Sequence, residues 1–265
     1  MSYRFILFER RDHIAFVTLN RPEVLNAIHP EMDEELCRAW QTVRDDPDIW
    51  VALLSGAGDR AFTVGADLKW WGQASLSPSE HWDLSLRFGG LVNFELWKPV
   101  IAAIHGHCLG GGVEIVLACD LVVAATTARV GLPEVRTVGA PPGSGGVLRL
   151  PRQVPLKLAM QLLLTGEPIS ADEAFRWGLV NAVVPPAELL PAATRLAEAI
   201  CRNSPLGVRA TKELALRGLD LPLHPTTAWD LYARVNLPLY DSVDFKSREA
   251  TRAFIEKRAP RWQGR

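Results

Sequence analysis

The sequence predicts an α/β fold followed by a helical C-terminal region. Short apolar runs alternate with helical patterns as far as about residue 135, which is typical of strands joined by helical crossovers. From about Pro151 onward the apolar spacing is almost wholly helical. The 265 residues, 48% of them hydrophobic, are enough to bury a sizeable core. We expect an α/β core over residues 1–200 and a helical region over residues 201–265.

The N-terminal elements follow from local patterns. YRFILFE and HIAFVTLN are rich in strand-forming residues and are separated by RRD, which predicts a β-hairpin. A helix is predicted from Pro30, because proline suits the first helical position and three of the next four residues are acidic. Residues 49–56 are an unbroken apolar run that ends in glycine, which predicts a buried parallel strand.

A predicted loop, AGDRAFTVGADLKWW, follows this strand and contains a β-rich segment that Gly65 interrupts. Within it, Asp67 has the residue type that favours the N-cap of a following turn. Residues 79–97 predict one helix, which Pro99 ends.

The middle of the chain predicts another buried strand, residues 100–106, and a helix over residues 111–119 that is apolar on every face. DLVVAA and ARVGL predict short strands. Helices are then predicted in PLKLAMQLLLTG, SADEAFRWGL, ELLPAATRLAEAICRN and PLGVRATKELALRG, and in a long stretch over residues 228–257.

Composition excludes several classes of protein. The net charge of −1 gives no overall electrostatic attraction to nucleic acid or to an anionic membrane. The four cysteines make no CxxC pair, which is typical of free thiols in a reducing compartment. The N-terminus lacks the apolar region of a signal peptide, and there is no apolar run of about 18 residues. We therefore expect a cytoplasmic protein.

The stretch HCLGGGVEIVLACD places three glycines directly before the predicted apolar helix. Free backbone N–H groups at a helix N-terminus suit an anion or a developing oxyanion. A tight strand-to-helix turn explains the same glycines without any function. The glycines alone leave these two interpretations open.

Glu114 is the unusual residue of this stretch. A carboxylate in the first turn of a helix is mildly favoured by the helix dipole, which is its purely structural interpretation. However, the apolar surroundings predict that Glu114 is buried, and an isolated buried carboxylate is costly or has a raised pKa. Such a group is suited to acid–base chemistry near neutral pH, so we favour a catalytic function. Taken alone, Glu134 in GLPEV is typical of a solvated surface charge.

Several stretches together resemble the crotonase family, the enoyl-CoA hydratase/isomerase superfamily. They are LNRPEVLNAI, AFTVGADLK, KPVIAAIHGHCLGGGVEIVLACDLVVA, GLPEV with PPGSGG, LLTGEPISADEAFRWGLVNAVVP and AFIEKRAPRWQG, in this order along the chain. Each motif is weak by itself, whereas the ordered set is specific. The resemblance implies a spiral of ββα turns, a C-terminal helical region used in trimer assembly, and a homotrimer or a hexamer of two trimers.

The resemblance also implies an activity and a site. It implies an enoyl-CoA hydratase of fatty acid metabolism, such as β-oxidation, which adds water to a 2-enoyl-CoA thioester. Coenzyme A is part of the substrate, and no separate cofactor is implied. The backbone N–H groups of Ala66 and Gly111 would polarise the thioester carbonyl, and Glu114 and Glu134 would hold the water and move its protons. The positions implied to contact the CoA thioester are Leu25, Ala27, Ala66, Asp67, Leu68, Lys69, Gly111 and Lys257, the last one near the CoA phosphates and contributed by a neighbouring subunit.

Within the family, an enoyl-CoA isomerase, a carnitinyl-CoA-type dehydratase and an acyl-CoA hydrolase remain alternatives. A non-catalytic member that binds a CoA ligand or RNA is disfavoured, because both glutamates are present and there is no basic stripe. A serine hydrolase at Ser144 is disfavoured, because PGSGG lacks the first glycine of GxSxG and follows no predicted strand. No metal-binding pattern occurs among the six histidines.

The segment 70–97 is rich in tryptophan, with Trp70, Trp71, Trp82 and Trp97. The residues are expected to pack in the core or at a subunit contact, because tryptophan is largely buried on average. The alternative is an acyl pocket adapted to an aromatic or branched chain.

Overall fold

The fold was obtained as a computed structural model, which describes residues 3–74, 77–221 and 225–265. Its strands are β1 (Ile6–Arg11), β2 (Ile14–Leu19), β3 (Val51–Gly56), β4 (Ala61–Thr63), β5 (Val100–Ile104), β6 (His107–Leu109), β7 (Leu121–Ala125), β8 (Arg129–Gly131), β9 (Ile169–Ser170) and β10 (Ala182–Val184).

Its helices are α1 (Pro30–Asp45), α2 (Leu68–Gln73), α3 (Pro78–Leu86), α4 (Gly111–Ala118), α5 (Glu134–Thr137), α6 (Gly146–Gln153), α7 (Leu156–Thr165), α8 (Ala171–Arg176), α9 (Leu189–Cys201), α10 (Pro205–Gly218), α11 (Pro225–Asn236), α12 (Val243–Lys246) and α13 (Glu249–Ile255). No helix in the described ranges is long and apolar enough to cross a membrane.

Successive turns of the chain add strands to two sheets at the same time. The larger sheet has the order β1-β2-β3-β5-β7-β10, and the smaller one has the order β4-β6-β8-β9. The pairs β3–β4, β5–β6 and β7–β8 each place one strand in each sheet, and the pairing between neighbouring turns is parallel. This is a spiral of ββα-type turns, so the predicted α/β fold class is confirmed.

The larger sheet is buried on both faces. Alternate residues of β3 and β5 point to opposite sides: Leu54 and Ala102 join the main core, whereas Leu53 and Ile101 join a second core. Helix α9 covers this second face through Ala193 and its neighbours. The double burial explains why these strands are unbroken apolar runs.

The predicted N-terminal hairpin is confirmed with a shorter turn, because Arg10 and Arg11 belong to β1 and pair with Ala15 and Ile14. The predicted start of α1 at Pro30 is also confirmed. Asp67 caps α2, where its side chain accepts a hydrogen bond from the N–H of Trp70 at 3.3 Å.

The prediction of one helix over residues 79–97 is wrong. Helix α3 ends at Leu86, and a 3₁₀ turn at Phe88–Gly90 follows. Gly89 and Gly90 have φ of 65° and 64°, in the left-handed region where helices end. A side chain on Gly90 would overlap the backbone of α1, so the close approach of α1 requires glycine there.

The prediction of an almost wholly helical pattern from about Pro151 needs a correction. The strand β9 extends the smaller sheet and β10 extends the larger one, and Pro151 lies inside α6. The long helical stretch over residues 228–257 is divided into α11, a 3₁₀ turn at Leu237–Asp241, α12 and α13. The 3₁₀ turn contains Pro238 near its start, and proline cannot donate the backbone hydrogen bond that a continuing helix needs.

Candidate active site

Three neighbouring strands of the smaller sheet deliver the predicted site residues. Since β4, β6 and β8 are parallel neighbours, the segments after their carboxyl ends lie side by side. Ala66 follows β4, Gly111 and Glu114 follow β6, and Glu134 follows β8. Ligands in parallel sheets bind at such carboxyl ends.

The N–H groups of Ala66 and Gly111 are available in one place. The two loops touch, because a Cβ added to Gly65 would lie only 2.7 Å from the nitrogen of Gly111. Within the described ranges, neither N–H donates to a protein acceptor. Gly111 begins α4, so its N–H belongs to the positive end of the helix. Two free donors of this kind are suited to an oxyanion.

Glycine is required around these donors. Gly110 has φ 56° and ψ −127°, a conformation that essentially only glycine adopts. A Cβ on Gly111 would overlap the ring of Phe88, which covers this side of the turn. The glycines thus form a tight turn and also leave the N–H of Gly111 free, so the structure is compatible with both interpretations.

Glu114 is buried, as predicted, with 3% of its surface exposed. Its Oε1 accepts hydrogen bonds from the N–H groups of Ser144 and Gly146, both at 2.7 Å. Burial raises the pKa of the Glu114 carboxyl, while these two N–H groups and the nearby Arg149 guanidinium act in the opposite direction.

Glu134 begins α5 and is half-buried, so its sequence interpretation as a solvated charge is wrong. Its Oε1 faces the Gly110 turn, since a Cβ there would lie 3.2 Å away. Its Oε2 is buried and has no hydrogen-bond partner in the described part of the chain. Burial raises the pKa of Glu134 to about 7; its own N–H lowers the pKa, and the charge of Glu114 raises it.

The two carboxyls thus differ in their environments. Glu114 has two N–H donors and a nearby guanidinium, which stabilise a negative charge. Glu134 has an unpartnered oxygen next to another carboxylate, which favours its protonated form. Two carboxyls with different hydrogen-bond partners beside two free N–H groups are an arrangement that can move protons next to a polarised carbonyl.

The segments expected to contact coenzyme A are brought together. Residues 25–28 run beside residues 64–67: the N–H of Val64 donates to the carbonyl of Leu25 at 3.2 Å, and Ile28 and Ala66 form a parallel bridge. Ala27 is buried at 6% exposure, so only its backbone can contact a ligand.

The beginning of α2 completes this surface. Leu68 and Lys69 are exposed there. The Asp67 carboxylate is engaged, because it caps α2 and forms an ion pair with Arg21 at 3.0 Å. The Asp67 carboxylate is therefore occupied within the chain, whereas the Lys69 side chain is exposed at the same end of α2.

The structure does not bring Lys257 to this site within one chain. Lys257 is exposed after α13, in a C-terminal segment anchored elsewhere. The indole N–H of Trp262 donates to the carbonyl of Arg202 at 3.0 Å, and Gly264 lies against Trp50, just before the N-terminal end of β3. A role at the CoA phosphates would need a neighbouring subunit, as the resemblance implies.

The tryptophans do not form one group. Trp70 and Trp71 pack edge to face, with ring centroids 5.7 Å apart. Trp97 instead lies under the guanidinium of Arg217 of α10, at 4.9 Å. The Trp82 side chain lies outside the described residues. Trp71 and Phe88 line a narrow cleft of about 10 Å³, which is too small for an aryl group, so the aromatic acyl pocket stays a prediction.

The other chemistries considered from the sequence gain no support. Ser144 lies in the loop between α5 and α6, without the strand-to-helix turn of a serine hydrolase. No group of three or more histidine, cysteine or acidic side chains that could hold a metal ion occurs within the described residues. His105 is buried, and burial lowers its pKa.

Sequence reasoning missed three contributors. The N–H groups of Ser144 and Gly146 hold Glu114, Phe88 covers Gly111, and Arg149 lies close to Glu114. The glycine-rich PPGSGG was the available signal for the first of these. Phe88 and Arg149 have no signal of their own, because their roles depend on contacts between distant segments.

This combination of spiral fold, paired carboxyls and free amides defines an acid–base site for a carbonyl compound. The sequence pattern of the enoyl-CoA hydratase/isomerase family matches residues 9–265. The chain therefore belongs to this family, the crotonase superfamily, and the resemblance seen in its motifs is confirmed.

Similar proteins include a hydratase and a dehydratase that are named for acyl-CoA compounds. The chain is 45% identical to an (E)-benzylidenesuccinyl-CoA hydratase of Thauera aromatica, covering 98% of this chain and 99% of the relative. It is 38% identical to a carnitinyl-CoA dehydratase of Salmonella typhi, covering 97% of both. The chain is thus an enzyme of the crotonase family with hydratase-type relatives.

Solved structures agree with this assignment. An enoyl-CoA hydratase from Mycobacterium marinum superimposes with a TM-score of 0.89 at 37% identity, covering 98% of this chain and 99% of that one. An enoyl-CoA hydratase from Bacillus anthracis also has a TM-score of 0.89, at 35% identity, covering 99% and 100%. The crotonase-like fold is confirmed.

Proposed function

We propose that the protein is an enoyl-CoA hydratase, which adds water reversibly across the double bond of a 2-enoyl-CoA thioester. The observation that carries the proposal is the meeting of Glu114 and Glu134 at the two free N–H groups of Ala66 and Gly111. Two carboxyls in different protonation states provide both the base and the acid that hydration needs.

In the proposed reaction the thioester oxygen accepts hydrogen bonds from Ala66 and Gly111. Glu114, the carboxylate held by two N–H groups, takes a proton from water while the water oxygen bonds to the β-carbon. The electrons of the double bond move towards the thioester, and the resulting enolate is stabilised by the two amides. Glu134 then gives its proton to the α-carbon.

These groups supply acid, base and oxyanion stabilisation, so we propose that no separate cofactor takes part. Coenzyme A is part of the substrate. We propose that it lies along Leu25, Ala27 and residues 66–69, which adjoin the two amides.

The test is the hydration of 2-enoyl-CoA thioesters by the wild type and by Glu114→Gln and Glu134→Gln. Each variant should lose on the order of 10²–10⁴ in kcat, as expected when a general acid or base is removed. The exposed Glu198 of α9 provides the control, because Glu198→Gln should keep full activity. Loss of enoyl-thioester absorbance measures the rate, and ¹⁸O from labelled water in the 3-hydroxy product identifies hydration.

A wild type that hydrates no 2-enoyl-CoA would overturn the proposal. Conversion of a 3-enoyl-CoA without incorporation of ¹⁸O would establish the isomerase alternative instead. Release of free coenzyme A would establish the hydrolase.

The substrate panel should include benzylidenesuccinyl-CoA and carnitinyl-CoA, because relatives at 45% and 38% identity carry these names. Of the two, we propose an aryl-substituted acyl group, because the relative at 45% identity is a benzylidenesuccinyl-CoA hydratase, whereas the carnitinyl-CoA dehydratase is 38% identical. Turnover of carnitinyl-CoA without turnover of benzylidenesuccinyl-CoA would contradict this choice.

A further inference from the structure

Arg149 is a charged side chain near Glu114 that the proposed chemistry does not use. It lies on α6, which packs against α4, and is half-buried. Its guanidinium donates to the carbonyl of Ser144 at 3.4 Å and to the carbonyl of Val92. Within the described residues it makes no ion pair within 4.0 Å of a carboxylate oxygen.

The contact of Arg149 with the Ser144 carbonyl is important because the N–H of the same residue holds Glu114. The N–H of Ser144 donates to Glu114 at 2.7 Å, and so does the N–H of Gly146. Gly145, between them, has φ of 100°, and Arg149 lies so close over it that a side chain there would overlap the guanidinium. Arg149 therefore braces the turn that presents both N–H groups to the carboxylate.

The charge of Arg149 also acts on Glu114. Burial lowers the pKa of Arg149 and the charge of Glu114 raises it, while the guanidinium in turn lowers the pKa of Glu114. An opposite charge in a partly buried site favours the ionised form of its neighbour.

The other groups around Glu114 do not replace this charge. Helix α5 contributes Glu134, which has the same sign. The Phe88–Gly90 turn follows Arg87, whose guanidinium faces Asp33 at 4.0 Å. Strand β6 contributes His107, which is exposed. Arg149 is thus the cation that faces Glu114 from the packed elements described.

We propose that Arg149 is a positioning residue for Glu114, which braces the 142–146 turn and keeps the Glu114 carboxylate ionised for its role as base. The catalytic consequence rests on the proposed hydratase function. The electrostatic part concerns the free protein and is testable without any substrate.

The direct test is an NMR titration of the Glu114 carboxyl carbon, in protein labelled with ¹³C at glutamate side-chain carboxyls and assigned with Glu114→Gln. Arg149→Met should raise the pKa of Glu114 by about one unit or more, because an opposite charge and the bracing of two donors are both lost. Arg149→Lys keeps the charge, so the pKa of Glu114 should lie close to its wild-type value. Arg152→Met is the matched control, since Arg152 lies on the same helix and is exposed.

Kinetics provide the second readout. If Glu114 must be ionised, the acid limb of the pH profile of kcat/KM shifts to higher pH as the pKa of Glu114 rises. At a pH below the pKa in both the wild type and Arg149→Met, a shift of one unit lowers kcat/KM about tenfold. KM for the CoA thioester should change little, because Arg149 is not among the residues proposed to contact coenzyme A. If the role of Arg149 were purely structural, its loss would lower kcat/KM equally at all pH values and leave the acid limb at the same pH. Arg149→Lys would then be no more active than Arg149→Met.

An unchanged Glu114 pKa in Arg149→Met overturns the proposal. If that variant does not fold, Arg149→Gln, which keeps a donor for the Ser144 carbonyl, decides between the same two outcomes. An inactive wild type would contradict the hydratase function alone, whereas the titration would still decide the role of Arg149.

Discussion

At the scale of single residues, the site depends on the same glycine turn in two ways. Gly111 leaves its N–H free within the described residues, and its lack of a side chain makes room for Phe88. The Phe88 ring lies against one side of the turn. Donor strength and packing are therefore coupled at Gly111.

This coupling predicts the effect of Gly111→Ala. The new methyl group must displace the Phe88 ring or the turn, so we expect kcat/KM to fall by on the order of 10²–10³, the usual effect of losing one oxyanion donor. The double variant with Phe88→Leu should recover part of the loss, because the smaller side chain relieves the overlap. Steady-state kinetics measure both, with Gly218→Ala as control, since Gly218 faces open space. Full activity in the single variant would argue against the Gly111 amide.

At the scale of elements, local sequence patterns correctly predicted the strands and helices that are buried on all sides. The strands β3 and β5 are buried on both faces, so their apolar runs were sufficient evidence. Glu114 was predicted to be buried for the same reason, since α4 is apolar on every face. Glu134 was assigned to the site only through the family resemblance. Its partial burial was not predicted from GLPEV alone, because that segment follows β8, which pairs with the distant β6.

The wrongly predicted helix over residues 79–97 is a second case in which distant contacts decide where an element ends. The turn that ends α3 is fixed from α1, where Asp33 accepts a hydrogen bond from the N–H of Gly89 at 2.5 Å and Trp40 donates to the Gly89 carbonyl at 2.9 Å. Both partners are about 50 residues away in sequence. Tertiary contacts thus override the helical spacing of this segment.

Asp33 makes the stability of this junction depend on pH. It is buried at 3% exposure, and burial raises its pKa from 3.8 to about 7 in the folded protein. The folded state therefore binds more protons than the unfolded state between about pH 4 and pH 7, so stability from this group falls as pH rises through that window. A shift of this size corresponds to on the order of 4 kcal/mol.

We expect Asp33→Asn to flatten this pH dependence. The free energy of unfolding, measured by urea denaturation from pH 4 to pH 8, should fall less steeply with pH in the variant than in the wild type. The slope is the readout, because a lost hydrogen bond would lower stability equally at every pH. Glu31→Gln serves as control, because Glu31 is exposed in the first turn of α1. Identical slopes for Asp33→Asn and wild type would show that Asp33 titrates normally.

At the scale of the whole molecule, the C-terminal region exposes more apolar surface than a single chain explains. Leu219, Phe254 and Ile255 are 76%, 85% and 72% exposed. Large apolar side chains exposed to this extent are typical of interaction sites, and identical chains usually assemble with closed symmetry. We propose a homotrimer or a hexamer of two trimers, in which this region covers a neighbouring chain. Residues 201–265 would then act as an assembly region, although α10 also packs on the core through the ion pair of Lys212 with Asp120.

The proposed assembly predicts two separable effects near the C-terminus. Phe254→Asp places a charge in the interface, so the mass measured by light scattering should fall towards that of the monomer, while Leu7→Asp on the exposed face of β1 should leave it unchanged.

Lys257→Ala should keep the assembly intact and raise KM about 2–5-fold, the size expected for one exposed charge pair. That increase should occur with CoA thioesters and be absent with pantetheine thioesters, which lack the nucleotide phosphates. If Phe254→Asp stays assembled, Phe254 does not lie in the subunit interface. If Lys257→Ala affects both kinds of thioester equally, Lys257 does not reach the phosphates of a neighbouring subunit's ligand.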